Sequence, residues 1–396
     1  MRRAYIILLA AYGFWSCGDE SFDATDSFTK IYDHSSAEVA YHPIDMVKTE
    51  EGFLILAATQ LDESDFSGVQ VIQLDEKGDF VAEQTADVEY VAPVGGFMQV
   101  DTGYFFFAMH EPTLSTVLIS VTPTLSGFNI ATAVAGPSYP LAGSVNDADE
   151  LLVLTYNPEA LQTVISRVSA DGTFLQGIGY TIGAGSDVEA QIISHFVDNE
   201  RSGLPFFCGE LAGTGQVYFN GFYNYTLSLV FSSFGDAPDG VLQGQATDGG
   251  VSAAMPVIGS NFSLVGFQFN DNFVTPAATL DPNGINSSID LAQGTISELK
   301  SRSKADIVLW ENGGNQYVVV AAETQNRQVV LYIYDYASGQ MVGIERIGYQ
   351  NAFTLSSIKV DDENALLVLG STYVSGRFER AFLKKLSADQ LKSFIQ

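Results

Sequence analysis

Three short acidic groups hold the densest supply of ligating oxygen in the chain: Asp62, Glu63 and Asp65; Asp147, Asp149 and Glu150; and Asp361, Asp362 and Glu363. Calcium takes roughly six to eight oxygen ligands from a flexible loop. Each group offers three carboxylates, and none follows the spaced Asp-x-Asp-x-Asp-Gly pattern. Each therefore reads first as solvated turn residues. Loop-bound calcium is the one cofactor left open, and otherwise none is expected. The histidines His34, His42, His110 and His195 are scattered, and no pair has the spacing of a zinc site. Cys208 follows Phe206 and Phe207 and reads as a small buried hydrophobe, not a nucleophile. There is no Gly-x-Ser-x-Gly elbow and no glycine loop to cradle phosphate. No catalytic, cofactor-binding or metal-ligating residue is assigned. Carboxylates from distant loops that meet only in three dimensions stay open, two of them about 5 to 10 Å apart in a cleft being what glycoside chemistry requires.

The N-terminus does carry a chemical address. Met1, Arg2 and Arg3 precede an apolar run from Ala4 to Trp15, 12 residues long and too short for a membrane-spanning helix, which needs about 20. Ser16 and Cys17 follow, then Asp19 and Glu20. This order is expected of a secretory leader, and Phe14-Trp15-Ser16-Cys17 resembles a bacterial lipobox, which implies a lipid on Cys17 and attachment to a membrane. Residues 1–16 then form the signal peptide, 17–27 an acidic flexible tether, and 28–396 a single domain. Losing residues 1–16 removes Arg2 and Arg3 and takes the formal charge from −29 to −31. A field of that sign repels phosphates, so nucleic acid is not an expected partner. With Cys17 modified, Cys208 has no intrachain disulfide partner, and stability has to come from the core.

The elements that would position any site follow a repeat. A polar turn feeding an apolar run recurs seven times, with runs starting at Phe53, Tyr104, Leu151, Leu204, Phe262, Tyr317 and Ala365, spaced by 47 to 58 residues. A second turn keeps pace downstream: Lys77-Gly78, Ser126-Gly127, Asp171-Gly172, Pro282-Asn283-Gly284, Ser338-Gly339 and Ser387-Ala388-Asp389. In the fourth unit Tyr223-Asn224-Tyr225 stands in its place. Two turns per unit imply four short strands, and four strands in about 50 residues predict an all-β fold, a β-propeller of seven four-stranded blades. A four-stranded sheet cannot bury both faces alone, whereas blades packed around an axis can. The second strand of each blade is expected to be the most apolar. Phe28–Tyr32 is expected to complete or flank the last blade, which also has a candidate outer strand of its own near Phe394-Ile395.

Glu51-Gly52-Phe53-Leu54-Ile55-Leu56-Ala57 and Gln73-Leu74-Asp75-Glu76-Lys77-Gly78 resemble a repeat found in exported propeller lipoproteins of the Bacteroidota. Ser166 to Gly172 and Lys384 to Asp389 echo it. The acidic stretch after Cys17 is also similar to the segment that follows the lipid cysteine in surface-exposed lipoproteins of that group. The resemblance implies a fold and a place, the bacterial outer membrane with the protein on the cell surface or facing the periplasm. It implies no chemistry. Enzyme-bearing propellers fail on their motifs: Ser169-Ala170-Asp171-Gly172-Thr173-Phe174 lacks the spacer of a glycosidase Asp-box, and Trp310 alone cannot supply the tryptophan docking of quinone-dependent dehydrogenases. The expectation is a non-enzymatic binding or scaffolding protein, anchored in the cell envelope, contacting a protein or a glycan through a propeller face. The alternative is an extracellular polysaccharide hydrolase or lyase using carboxylates at one end of the channel. A third reading, a subunit of an outer-membrane assembly, differs from the first in its partner.

Overall fold

The computed structural model describes residues 27–33, 40–61, 64–130, 133–134, 136–183, 186–197, 203–245, 248–257, 261–287, 294–348, 351–373 and 378–395. Cys17, His34, Asp62 and Glu63 lie outside them. Strand β1 (Phe28–Tyr32) comes first, followed by the meander β2 (His42–Thr49), β3 (Gly52–Thr59), β4 (Gly68–Leu74) and β5 (Phe80–Thr85). The short β6 (Tyr90–Val91) leads to β7 (Met98–Val100), β8 (Gly103–His110), β9 (Ser115–Val121) and β10 (Phe128–Ile130). Next come β11 (Pro140–Val145), β12 (Leu151–Asn157), β13 (Gln162–Val168) and β14 (Phe174–Thr181). Beyond the helix Ser186–Val197 lie β15 (Phe207–Glu210), β16 (Val217–Tyr223), β17 (Thr226–Ser232) and β18 (Gly240–Gln243). The chain continues through β19 (Gly249–Pro256), β20 (Asn261–Gln268), β21 (Asp271–Thr279) and β22 (Ile285–Ser287), then β23 (Ala305–Asn312), β24 (Asn315–Glu323), β25 (Val329–Asp335) and β26 (Met341–Ile347). It finishes with β27 (Ser357–Val360), β28 (Leu366–Tyr373) and β29 (Glu379–Leu386).

Apart from β22, each group is an antiparallel meander in chain order, and β6 bridges β4 to β8, joining the first two into one hydrogen-bonded sheet. The first strands of successive sheets are neighbours: β27 beside β2 and β23, β11 beside β7 and β15, and β19 beside β23. They surround a common axis, and the fold is a β-propeller. Sheets packed on both faces need apolar side chains on both faces. Every residue of β3 is accordingly buried, and so are Leu151 to Tyr156 of β12. The core is a succession of clusters between adjacent sheets. Leu54, Leu56 and Val71 pack on Phe106 and Ile119, and Trp310, Val319 and Leu331 pack on Leu366, Val368 and Phe382.

The ring closes through its ends. Strand β1 pairs antiparallel with β29, from Phe28 opposite Lys385 to Tyr32 opposite Ala381. The sheet it completes packs back on the first meander, with Leu367, Leu369 and Leu383 against Phe53, Ile55 and Ile72. Tyr32 donates its hydroxyl to the Gly78 carbonyl at 2.9 Å, and Phe28 meets Phe53 edge-on at 6.2 Å.

Four expectations need correction. The fourth apolar run, Leu204 to Phe207, is not a second strand: it leads into β15, and the second strand of that sheet is β16. The helix Ser186–Val197, inserted between β14 and β15, displaces the repeat; it buries Val188 and Ile192 against Tyr156, Tyr180 and Phe222. Tyr223-Asn224-Tyr225 is likewise the hairpin between β16 and β17, not a downstream turn. Finally, the last sheet takes its outer strand from β1. Ser387 caps a short helix, Ala388–Ser393, by accepting the Gln390 N–H, so the chain turns away where an outer strand was expected. The turn at Pro282-Asn283-Gly284 also serves another sheet than its own, since β22 pairs in parallel with β18.

Candidate functional site

The acidic groups resolve into turn chemistry. At the β11–β12 turn the Asn146 side chain accepts the N–H groups of Ala148 and Glu150, at 3.0 and 2.9 Å. At the β27–β28 turn Asp361 accepts those of Glu363 and Ala365, at 2.9 and 2.8 Å. Asp75 does the same for Lys77 and Asp79 between β4 and β5. A short side chain with an acceptor can replace backbone partners in a tight turn, which is why Asp and Asn collect there.

The remaining acids meet cations. Lys385 lies 3.2 Å from Asp361 and 2.7 Å from Glu363, and Lys48 lies 3.4 Å from Asp362. The Lys385 hydrogen bond and charge hold the Glu363 carboxyl below its usual value. Glu150 is 3.7 Å from Arg167, which pairs with Glu210 at 2.8 Å. Asp147 and Asp149 flank this network without any metal-like convergence. Among the described residues no group of three or more His, Cys, Asp and Glu side chains is arranged to hold a metal ion. Asp65 lies in the connection between β3 and β4.

The described histidines do not converge either. His42 Nδ1 lies 2.9 Å from Glu379, His110 Nδ1 pairs with the Thr113 hydroxyl at 2.7 Å, and His195 packs edge-on against Phe196 and Phe206. Burial opposes ionisation of Glu379, but hydrogen bonds from His42 and Tyr373 outweigh it and hold the carboxyl low. Burial pushes the Cys208 thiol up to about 12, so at neutral pH it is no nucleophile.

The side chains that do meet near the axis were not singled out from the sequence. Asp45 on β2, Asp306 on β23 and Lys359 on β27 come from the first strands of three different sheets. Lys359 Nζ lies 3.4 Å from Asp45, and its ammonium is held above the usual value by Asp45 first and by Asp306 in addition. Burial pushes the Asp306 carboxyl up in spite of that neighbour. Two carboxyl groups gathered around one cation are an arrangement that acid–base catalysis uses.

The oxygens are already committed, however. Asp45 Oδ2 accepts the N–H groups of Gly96 and Phe97 at 3.1 and 2.8 Å, and Oδ1 that of Met46 at 2.8 Å. Asp306 Oδ2 accepts Ile358 N–H at 2.9 Å, and Oδ1 that of Ile307 at 2.8 Å. Each carboxylate thereby ties its strand to the next sheet. Ser356 adds a bond to the Pro43 carbonyl at 2.6 Å across the closing seam. A signal was present: Asp45, Asp306 and Lys359 are each a charge between two apolar residues of a strand.

No protein-family model matches the chain, and no curated protein matches it. Solved structures of the same architecture do. The β-propeller domain of the Trilobed protease from Pyrococcus furiosus aligns over 87% of this chain and 93% of its own, at 9% identity and a TM-score of 0.48. A protein from Lactobacillus plantarum aligns over 88% and 96%, at 14% identity and 0.48. SapL1 lectin, in complex with alpha methyl fucoside, aligns over 92% and 99%, at 9% identity and 0.38. At these identities the likeness concerns the fold alone, and it joins proteins of unlike activity.

Proposed function

We propose that the protein is a binding or scaffolding module of the cell envelope, anchored by a lipid on Cys17 to the bacterial outer membrane and contacting a glycan or another protein through a propeller face. The ring is read as seven-bladed, a count supported by the successive meanders that open at β2, β7, β11, β15, β19, β23 and β27. The observation that carries the non-enzymatic reading is the commitment of the axial carboxylates: both oxygens of Asp45 and of Asp306 accept backbone N–H groups. Oxygens held this way staple sheets together and have little freedom to exchange protons with a substrate. The formal charge of −29 speaks against a nucleic-acid partner.

An affinity pull-down from detergent-solubilised native membranes, comparing the intact protein with Cys17→Ala, tests this reading. A stoichiometric envelope protein or a retained glycan is expected, with the Cys17→Ala form lost from the membrane fraction. Robust turnover of a polysaccharide, abolished by Asp306→Asn, would replace binding with catalysis.

A further inference from the structure

Two-residue hairpins with positive φ at both central positions fit the twist of paired strands and favour Asn-Gly, because a Cβ is strained there. Two adjacent sheets break that preference with aromatic residues. Between β16 and β17 the central pair is Asn224 and Tyr225, with φ of 47° and 74°. Between β20 and β21 it is Phe269 and Asn270, with φ of 47° and 76°. Both hairpins join the second and third strands of their sheets and so project from the same face of the ring. Both rings are open to solvent, Tyr225 49% and Phe269 64% exposed. A strained backbone that holds a ring about half or more in solvent brings the fold little packing gain, and such strain collects where side chains bind.

The backbone also fixes each ring in place. Tyr225 N–H donates to the Ile182 carbonyl at 2.8 Å and Asn224 N–H to that of Thr181 at 3.0 Å. One side of the Tyr225 ring rests on Gly183, where a Cβ would come within 2.7 Å of it. Phe269 N–H donates to the Asp248 carbonyl at 2.7 Å, and the Asn270 side chain accepts from the Ser301 hydroxyl at 3.1 Å. Between the tips, Gly244 packs on the Leu227 backbone, Gln245 bridges to Gly249, and Gly249 pairs with Gln268. Gln243, Gly244, Gln245, Gly249 and Gln268 line a crevice whose enclosed volume is 10 Å³, room for one water, so a ligand would lie across it.

We propose that this sector, from Tyr225 across the glutamine-lined crevice to Phe269, binds an uncharged polysaccharide. Sugar rings stack on the two aromatic faces, and the amides of Gln245 and Gln268 meet hydroxyl groups. Two separated rings with amides and glycines between them suit an alternating apolar and hydroxylated chain better than a protein surface, which would call for a continuous apolar patch. The charge of −29 disfavours a polyanion. The proposal rests on the binding reading above and specifies its face and ligand class.

Affinity electrophoresis of the full chain through gels containing amylopectin, xylan, galactomannan or β-glucan tests it. At least one polymer is expected to retard the wild type. Tyr225→Gly and Phe269→Gly are each expected to weaken retention about tenfold, and the double variant to abolish it. Glycine suits both turns, so the melting temperature should hold within about 2 °C; Tyr225→Asn serves as a second variant. Retardation of the double variant equal to wild type, or no retardation of the wild type by any polymer, overturns the proposal. An envelope protein captured by wild type and lost by the double variant would also overturn it, giving the face to a protein and leaving the binding reading intact. Absence of any captured partner or glycan would strike the binding reading itself.

Discussion

The closing seam and the sector from β11 to β22 both join neighbouring sheets, but with different residues. At the seam charge collects: Lys30 on Asp79, Lys48 on Asp362, Lys359 on Asp45 and His42 on Glu379, around an apolar cluster that includes Tyr32 and Phe53. In the sector one ion network, Arg167 with Glu150 and Glu210, stands beside contacts that are mainly aromatic and helical: Tyr180 stacked near Phe219, Tyr139 against Phe196, and Tyr156 donating to Glu189 of the inserted helix at 2.7 Å. The seam joins segments that are distant in the chain, and paired charges across it disfavour wrong registers. The sector is continuous in sequence and leaves aromatic rings free for the surface.

Removing β1 is the strongest way to break the comparison. A chain lacking residues 1–32 loses a five-residue ladder and the burial of Phe28 and Tyr32, about 5 kcal/mol in all. A melting temperature lower by about 6 °C is expected in calorimetry. An unchanged melting temperature would mean that the seam holds without its closing strand.

Gly183→Ala strikes the sector instead. Its φ of 105° and the 2.7 Å approach to Tyr225 leave no room for a methyl group, and about 1 to 3 kcal/mol should be lost in denaturant unfolding. A loss equal to that of removing β1 would erase the difference between the two regions.

The smallest effect sharpens the seam's electrostatics. The Glu379 carboxyl is lower in the fold than its ordinary value near 4.5, so its stabilisation is complete above that value and disappears as pH falls through the folded one. The wild type should therefore lose stability on acidification more steeply than Glu379→Gln, with the two curves converging at low pH. Parallel curves in a melting series from about pH 3 to 7 would remove Glu379 from the seam's account.

The repeat was legible because second strands are buried on both faces: the runs from Phe53, Tyr104, Leu151, Phe262, Tyr317 and Ala365 all fall on β3, β8, β12, β20, β24 and β28 or at their edges. Phe28–Tyr32 as a completing strand was legible too. The fourth unit was misplaced because the helix Ser186–Val197 pushes its second strand downstream, and an apolar lead-in at Leu204 took its place. The turn at Asn224 and Tyr225 was legible as a turn, but the misplaced fourth unit put it downstream instead of between β16 and β17. The axial residues Asp45, Asp306 and Lys359 lie on strands far apart in the chain, and only the ring brings them together.

The pairing of Phe28 with Lys385 has a consequence for how the chain folds. Each meander can form from segments adjacent in sequence, whereas the closing contact joins segments from opposite ends of the domain and bears its full loop-closure entropy. Closure is then the late event of folding. Until it occurs, the free edge of β29 and the apolar faces built from Leu367, Leu369, Phe53 and Ile55 are open to other chains, and the window for aggregation lasts as long as the ring stays open.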